Sequence, residues 1–397
     1  MPDGKRKALV LPGAGARGAY QVGVLKAVAS LLPAGAPNPF AIIAGTSAGA
    51  INAAVLAGRA ANFERAVSEM EQVWANFHAN QVYRTDGWAM LKSSLRWLAA
   101  IVFGGLGVRN PHALLDNSPL RELLERNVRF AGIAQAIEQG QLDAVAVTAS
   151  GYTTARSVTF FQGRPEYQPW ARVRRIGRPT QLEIEHLMAS AAVPFVFPPV
   201  RIGGEYYGDG SMRHRAPLSP ALHLGAERLL VIGVRDEQPD PEPAVDVAAV
   251  EPTLAHLAGY MLDTLFMDGL YTDLERISRT NRIVDQLGPG QLKGSLAELR
   301  AIQTLVIVPK DDIRDVAAHY AHELPRPVRL LLRGLGANRR SGLQLVSYLL
   351  FESGFTRELI DLGRRDALAQ QDEILEFIGG GALARTIKLP ALKIPGA

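Results

Sequence analysis

The chain has 397 residues, enough to bury a sizeable apolar core as one large domain or two ordinary ones. Its 47% hydrophobic and 21% charged residues argue against global disorder. With no cysteine, it can form no disulfide, no thiolate metal site and no cysteine nucleophile. The net charge of +4 is unevenly spread. No acidic residue lies between Asp3 and Glu64, where Lys5, Arg6, Lys7, Arg17, Lys26 and Arg59 are basic. A second acid-free stretch, Leu324 to Phe351, carries Arg326, Arg329, Arg333, Arg339 and Arg340. Such patches suit anionic partners, phospholipid headgroups or nucleic acid, or else form solvated basic faces.

The first element is a buried strand, KALVL (7–11), which breaks into the glycine-rich loop 13–18 and a helix through AYQVGVLKAVASLL. Lys5-Arg6-Lys7 before apolar residues superficially resembles a signal peptide, but Pro12, the glycines and Arg17 interrupt the run, so a strand entering a loop is expected. Gly-Ala-Pro-Asn-Pro (35–39) ends the helix. FAIIAGTSAGAINAAVLAG then repeats the pattern of strand, tight small-residue turn and helix. Continuous apolar strands alternating with helices predict an α/β fold, three-layered with a mostly parallel sheet covered on both faces.

Residues 62–140 read as mostly helical, and further strands are expected at 143–149, 157–163, 228–234 and 304–309. VRIGGEYYGDGSM (200–212) reads as a hairpin turning at Gly203-Gly204. The acidic, proline-rich segment 236–252 reads as a surface loop, and 254–287 as amphipathic helix. Helices continue to about residue 378, making the C-terminal portion largely helical, and the tail 388–397 is expected to be loosely held. Residues 7–222 form one catalytic core in this reading, with 223–397 adding strands and helices to the same fold. The longest apolar run, 97–108, is shorter than the roughly 20 residues a bilayer span needs. A soluble, cytoplasmic protein, peripheral to the membrane at most, is the expectation.

Two motifs carry chemistry. Gly13-Ala14-Gly15-Ala16-Arg17-Gly18 has G-x-G-x-x-G spacing, the pattern of a pyrophosphate cradle. A dinucleotide site would need an acidic residue roughly 20 positions further on, which the acid-free stretch removes. An NADP variant using Arg59 would need that residue at a strand end, and no G-K-S/T follows for a P-loop. Gly45-Thr46-Ser47-Ala48-Gly49 matches G-x-S-x-G between a strand and a helix, the setting of a nucleophile elbow. A plain serine N-cap is the alternative for Ser47.

A serine nucleophile needs a base. Among the downstream histidines (214, 223, 256, 319, 322) none has a convincing setting, and Arg213 and Arg215 flank His214 so as to depress its pKa. His319 and His322 share a helical spacing without an evident third metal ligand. Asp209, bracketed by Gly208 and Gly210, would project from a tight turn, although Asp-Gly is also an ordinary turn dipeptide.

Taken together these residues resemble the patatin-like phospholipases. Four segments match in the family's order: GAGARG (13–18), GTSAG (45–49), ASAAVPFVFPPV (189–200) and Asp209-Gly210-Ser211. Ala14 stands where glycine is common, and Ser211 replaces the usual alanine or glycine. The resemblance implies a Ser47–Asp209 dyad without histidine, and a loop whose backbone N–H groups, aided by Arg17, hold an oxyanion. It implies a lipid or acyl-ester substrate and no cofactor, metal or nucleic-acid partner. Residues 90–107 could supply an acyl groove, a lid or a core helix, and 326–342 a contact to anionic membrane. The competing readings are a lipid-binding protein with a dead site, an NAD(P)-dependent oxidoreductase, and an α/β-hydrolase with a Ser–Asp–His triad.

Overall fold

The computed structural model describes residues 6–85, 113–236, 251–287, 299–337 and 342–381. In chain order the elements are β1 (Lys7–Leu11), α1 (Gly18–Ser30), β2 (Ile42–Thr46), α2 (Ala48–Ala57), α3 (Phe63–Ala75), α4 (Ser118–Asn127) and α5 (Phe130–Glu138). Next come β3 (Ala144–Gly151), β4 (Ser157–Gly163), β5 (Trp170–Arg172), β6 (Arg175–Pro179), α6 (Ile184–Ser190), β7 (Val200–Ile202), β8 (Glu205–Asp209), α7 (Ser219–His223) and β9 (Arg228–Ile232). The remainder is α8 (Leu254–Asp263), α9 (Gly269–Leu287), β10 (Gln303–Ile307), α10 (Ile313–Tyr320), α11 (Arg326–Gly334), α12 (Leu343–Leu349), α13 (Ser353–Leu368) and α14 (Gln371–Gly379).

One sheet runs β10-β9-β1-β2-β3-β4-β6-β5, with the β7–β8 hairpin attached to β3. The block β10-β9-β1-β2-β3 is parallel throughout. β2, β3 and β9 are buried along their whole length, because helices cover both faces and leave neither side of the pleat to water. The expected mostly parallel three-layer α/β fold with a helical C-terminal part is therefore the fold observed. β9 and β10, both beyond residue 222, complete the parallel block by covering the other edge of β1.

Three expectations need adjustment. β5 and β6 went unrecognised because WARVRRIGRP is charged and mostly exposed, so it carries no apolar alternation. Through LEIEHLMASAAVP (182–194), which reads as a helix in sequence, α6 spans only Ile184–Ser190 and gives way to an irregular run in which Phe195 has φ 65°. The long helix over 254–287 is continuous but contains one wide π turn, Thr264–Asp268, between α8 and α9. Residues 90–107 and 97–108, most of the 236–252 loop, positions 338–341 of the second basic patch and the tail 388–397 lie outside the described residues. No described helix is long and apolar enough to cross a membrane.

Candidate active site

β2 leads straight into α2, and the junction residue, Ser47, has φ 55° and ψ −129°. A non-glycine residue in that region is strained, and such strain persists only where the surroundings enforce it. Two contacts do so. The Ser47 amide donates to Ser190 Oγ at 2.9 Å, and the Ser190 hydroxyl donates to Thr148 O at 2.6 Å, tying the turn to α6 and β3. Gly49 lets α2 approach the end of β1 so closely that an added Cβ would stand 2.1 Å from Leu11 O and 2.5 Å from Pro12 O. Ser47 occupies the N-cap position of α2, yet its side chain accepts no capping bond, so the plain N-cap reading does not describe it. The hydroxyl stays available at the positive end of the helix.

Sheet register brings Asp209 to this point. β2 pairs with β3 as far as Thr46 opposite Thr148, then departs at Ser47. β4 holds the other edge of β3, so the edge that β2 vacates is free. β8 takes it, running antiparallel, with Asp209 opposite Ala149 and Gly208 opposite Ser150. The last residue of β8 thus arrives where the last residue of β2 leaves.

Asp209 is 2% exposed. Its Oδ1 accepts the Ser211 amide at 2.9 Å, while Oδ2 is buried with no hydrogen-bond partner among the described residues. Burial pushes its pKa up to about 6; the nearby Ser47 hydroxyl and the Ser211 amide favour the ionised form but do not outweigh burial. Gly210, whose added Cβ would meet Thr148 O at 2.1 Å, allows the tight turn after it.

The Gly13–Gly18 loop forms a single 3-10 turn, Gly15–Arg17, and feeds into α1. Gly15 has φ +53° and packs against Tyr348 O, and it lines the same cavity as Ser47. A buried network holds the loop to α2: Gln21 Nε2 donates to Pro12 O, Asn52 Nδ2 donates to Gly18 O and Gln21 Oε1, and Trp74 Nε1 donates to Asn52 Oδ1. Sequence reasoning missed Gln21, Asn52 and Ser190. Their one signal was polar side chains on otherwise apolar helices.

Arg17 departs from expectation. Its guanidinium is buried, donating to Ser347 Oγ at 2.7 Å and lying 3.6 Å from Asp263 and 4.0 Å from the centre of the Tyr348 ring. It is not among the residues lining the Ser47 cavity, so it braces the loop against the C-terminal helices instead of facing that space.

His214 also differs from the reading. It is buried, with Nδ1 3.1 Å from Thr46 Oγ1, and burial followed by the charge of Arg175 pushes its pKa down to about 3. The depression thus comes chiefly from burial, with Arg175, far away in sequence, adding to it, and the imidazole is neutral at working pH. His319 and His322 each direct Nδ1 to a backbone carbonyl, and no group of three potential metal ligands occurs among the described residues.

A cavity of about 100 Å³ opens beside Ser47. Its walls follow successive turns of α2 (Ala48, Ile51, Val55), the apolar faces of α3 and α4, and Phe266 from the π turn. At its far end Arg59 lies 2.5 Å from Glu69 and donates to Asn127 O at 2.8 Å. This apolar space comes from α2, α3 and α4, not from the segment 90–107 singled out in the sequence.

The profile of the patatin-like phospholipase family matches residues 9–222, somewhat more than half of the chain. No curated protein matches it. Among solved structures the fold is similar to VipD from Legionella pneumophila, at 13% identity and a TM-score of 0.31, covering 91% of this chain and 67% of that one. It is similar also to a chain of the ExoU-SpcU complex from the type III secretion system of Pseudomonas aeruginosa, at 15% identity and a TM-score of 0.26, covering 96% and 73%. On the strength of the family profile and the four landmarks in order, the chain belongs to the patatin-like phospholipase family.

Proposed function

We propose that the chain is a lipid acyl hydrolase working through a Ser47–Asp209 dyad. The observation that carries this reading is the strained serine at the head of an apolar cavity, met end-on by a buried carboxylate with one oxygen unpartnered. A carboxylate raised to about 6 is a better proton acceptor than an ordinary aspartate and is still ionised at neutral pH. Ser47 Oγ attacks the ester carbonyl as its proton passes to Asp209. Backbone N–H groups of Gly13, Ala14, Gly15 and Ala16 hold the resulting oxyanion, each such donor being worth about 3 kcal/mol in the transition state. The intermediate collapses, the departing alkoxide takes the proton from Asp209, and the acyl group remains on Ser47. Water then attacks the acyl-enzyme, giving its proton to Asp209, and Ser47 is regenerated as the carboxylic acid leaves.

In this reading Gly45, Thr46, Ala48 and Gly49 shape the elbow, and Gly210 and Ser211 orient the base. The acyl chain lies along α2. Residues 7–222 carry the reacting groups, while 223–397 complete the sheet and brace the loop through Arg17 and Tyr348.

The test is hydrolysis of p-nitrophenyl acyl esters by wild type, Ser47→Ala and His214→Gln. Wild-type turnover lost in Ser47→Ala and kept within an order of magnitude in His214→Gln supports the dyad. Loss of a triad histidine would cost about 10⁶. Equal rates in wild type and Ser47→Ala would leave a lipid-binding protein without catalysis.

A further inference from the structure

A second concavity, of about 440 Å³, is lined by six arginines: Arg172, Arg174 and Arg175 from the β5–β6 hairpin, Arg213 and Arg215 just after the Asp209 turn, and Arg276 from α9. The carboxylate beside it is Asp273, 3.7 Å from Arg276 and accepting the Leu218 amide. Burial pushes the pKa of Asp273 up to about 6, against the pull of that amide, Arg175 and Arg276. Arg172, Arg174, Arg213 and Arg215 make no ion pair among the described residues. The positive field is strong enough to reach two histidines: His214 and His223 both have lowered pKa values, chiefly from burial, with Arg175 adding to each. So many unmatched cations in one basin repel one another, and only anionic ligands relieve that repulsion.

The register fixes where this basin stands. Ser150 of β3 lies opposite Ser157 of β4, Ser157 opposite Arg175 of β6, and Arg175 opposite Arg172 of β5. Asp209 lies opposite Ala149, one residue from that same row. The hairpin tip therefore projects from the end of the sheet that bears Ser47 and Asp209, about 15 Å away across three strand spacings. The tip itself is Val173, 94% exposed and flanked by Arg172 and Arg174. Tyr152 and Tyr206, also exposed, lie just past the same end, with the Tyr152 amide bonded to Tyr206 O. An apolar tip among arginines, with tyrosines alongside, is the chemistry of an interface between water and lipid.

We propose that the arginine basin and the Val173 tip form a docking site for an anionic bilayer, the arginines gripping lipid phosphates while Val173 enters the acyl region. This sets the Ser47 end of the sheet against the membrane. It gives that role to the hairpin instead of the basic stretch 326–342. There α11 buries Val328 and Leu332, and Arg329 bonds to His322 O. The inference deepens the hydrolase reading but is tested without it, on protein that carries Ser47→Ala and cannot turn over lipid.

Co-sedimentation would use phosphatidylcholine vesicles with and without an equal part of phosphatidylglycerol. Binding is expected only to the anionic vesicles and should fall with salt. Arg172→Ala/Arg174→Ala/Arg213→Ala should weaken partitioning about a hundredfold. Val173→Asp should weaken it at least tenfold, and Arg326→Ala/Arg333→Ala should leave it nearly unchanged, with melting curves confirming that each variant is folded. Binding lost in the α11 variant but kept in the hairpin variant overturns the assignment, as does failure to bind either vesicle. If inorganic pyrophosphate raises the melting temperature through these arginines while vesicles are ignored, the basin takes a soluble phosphate and docking is refuted.

Discussion

If the acyl chain lies along α2, the helix itself measures the chain. Its ten residues rise about 15 Å from Ser47 to the Arg59–Glu69 pair that closes the cavity. A carbon–carbon bond of about 1.5 Å at a tetrahedral angle advances about 1.25 Å along an extended chain, so the wall runs beside about twelve carbons, a chain that a cavity of about 100 Å³ admits only by widening around it. Ile51, one turn beyond Ser47, lines the same wall. Ile51→Trp should block the channel about 6 Å from the nucleophile, after about five carbons. The seven excluded methylenes, at about 0.8 kcal/mol each, set an upper bound near 6 kcal/mol on the lost binding. The assay is kcat/KM over p-nitrophenyl esters from four to sixteen carbons. The quantity read is the ratio of twelve-carbon to four-carbon ester within each protein, so a smaller folded fraction cancels. Wild type should peak near twelve carbons, and in Ile51→Trp the ratio should fall at least a hundredfold. A uniform loss at every length, or an unmoved maximum, would refute the placement of the chain along α2.

Four further outcomes follow from the same geometry. Turnover should rise with pH through the ionisation of Asp209 near 6 and level off above it, because only the carboxylate accepts a proton. The same group makes stability run the other way. Its folded pKa lies above the ordinary aspartate value of 3.8, so its contribution is fully present below that value and lost as pH rises through about 6. Asp209→Asn should therefore be inactive yet up to about 3 kcal/mol more stable than wild type at pH 8, read by denaturant titration. Gly49→Ala should lower stability by about 2 kcal/mol, since its Cβ would strike the Leu11 and Pro12 carbonyls; a gain, as for an ordinary helical glycine, would disprove the close approach. Arg17→Met should cost about 3 kcal/mol by leaving Ser347 and Tyr348 without their cation, and the melting temperature is the readout.

Much of this was legible in the chain. The strands 7–11 and 157–163 coincide with β1 and β4, and Asp209 ends the strand returning from the Gly203-Gly204 turn. These features rest on local signals: apolar runs, glycine turns and the elbow pentapeptide. What escaped was set by distant partners. Nothing near Arg17 in sequence announces Ser347, and nothing near His214 points to Arg175. The cavity arose on three separate helices, the buried α2 and the amphipathic α3 and α4, none of which reads locally as part of a site. The β5–β6 hairpin was invisible because its exposed residues are charged on both sides of the strand.

The seating of β8 on the edge left open by β2 has a consequence for when the enzyme can act. Ser150 and Gly210, bonded across that seam, stand sixty residues apart in sequence. Contacts of that separation carry a loop-closure cost that the local strand–helix turns avoid. A chain that has formed β1 to β4 but not yet seated β8 holds the nucleophile without its base. On the dyad reading proposed above, lipid cleavage is withheld from nascent and partly unfolded chains, and the activity belongs only to the finished molecule.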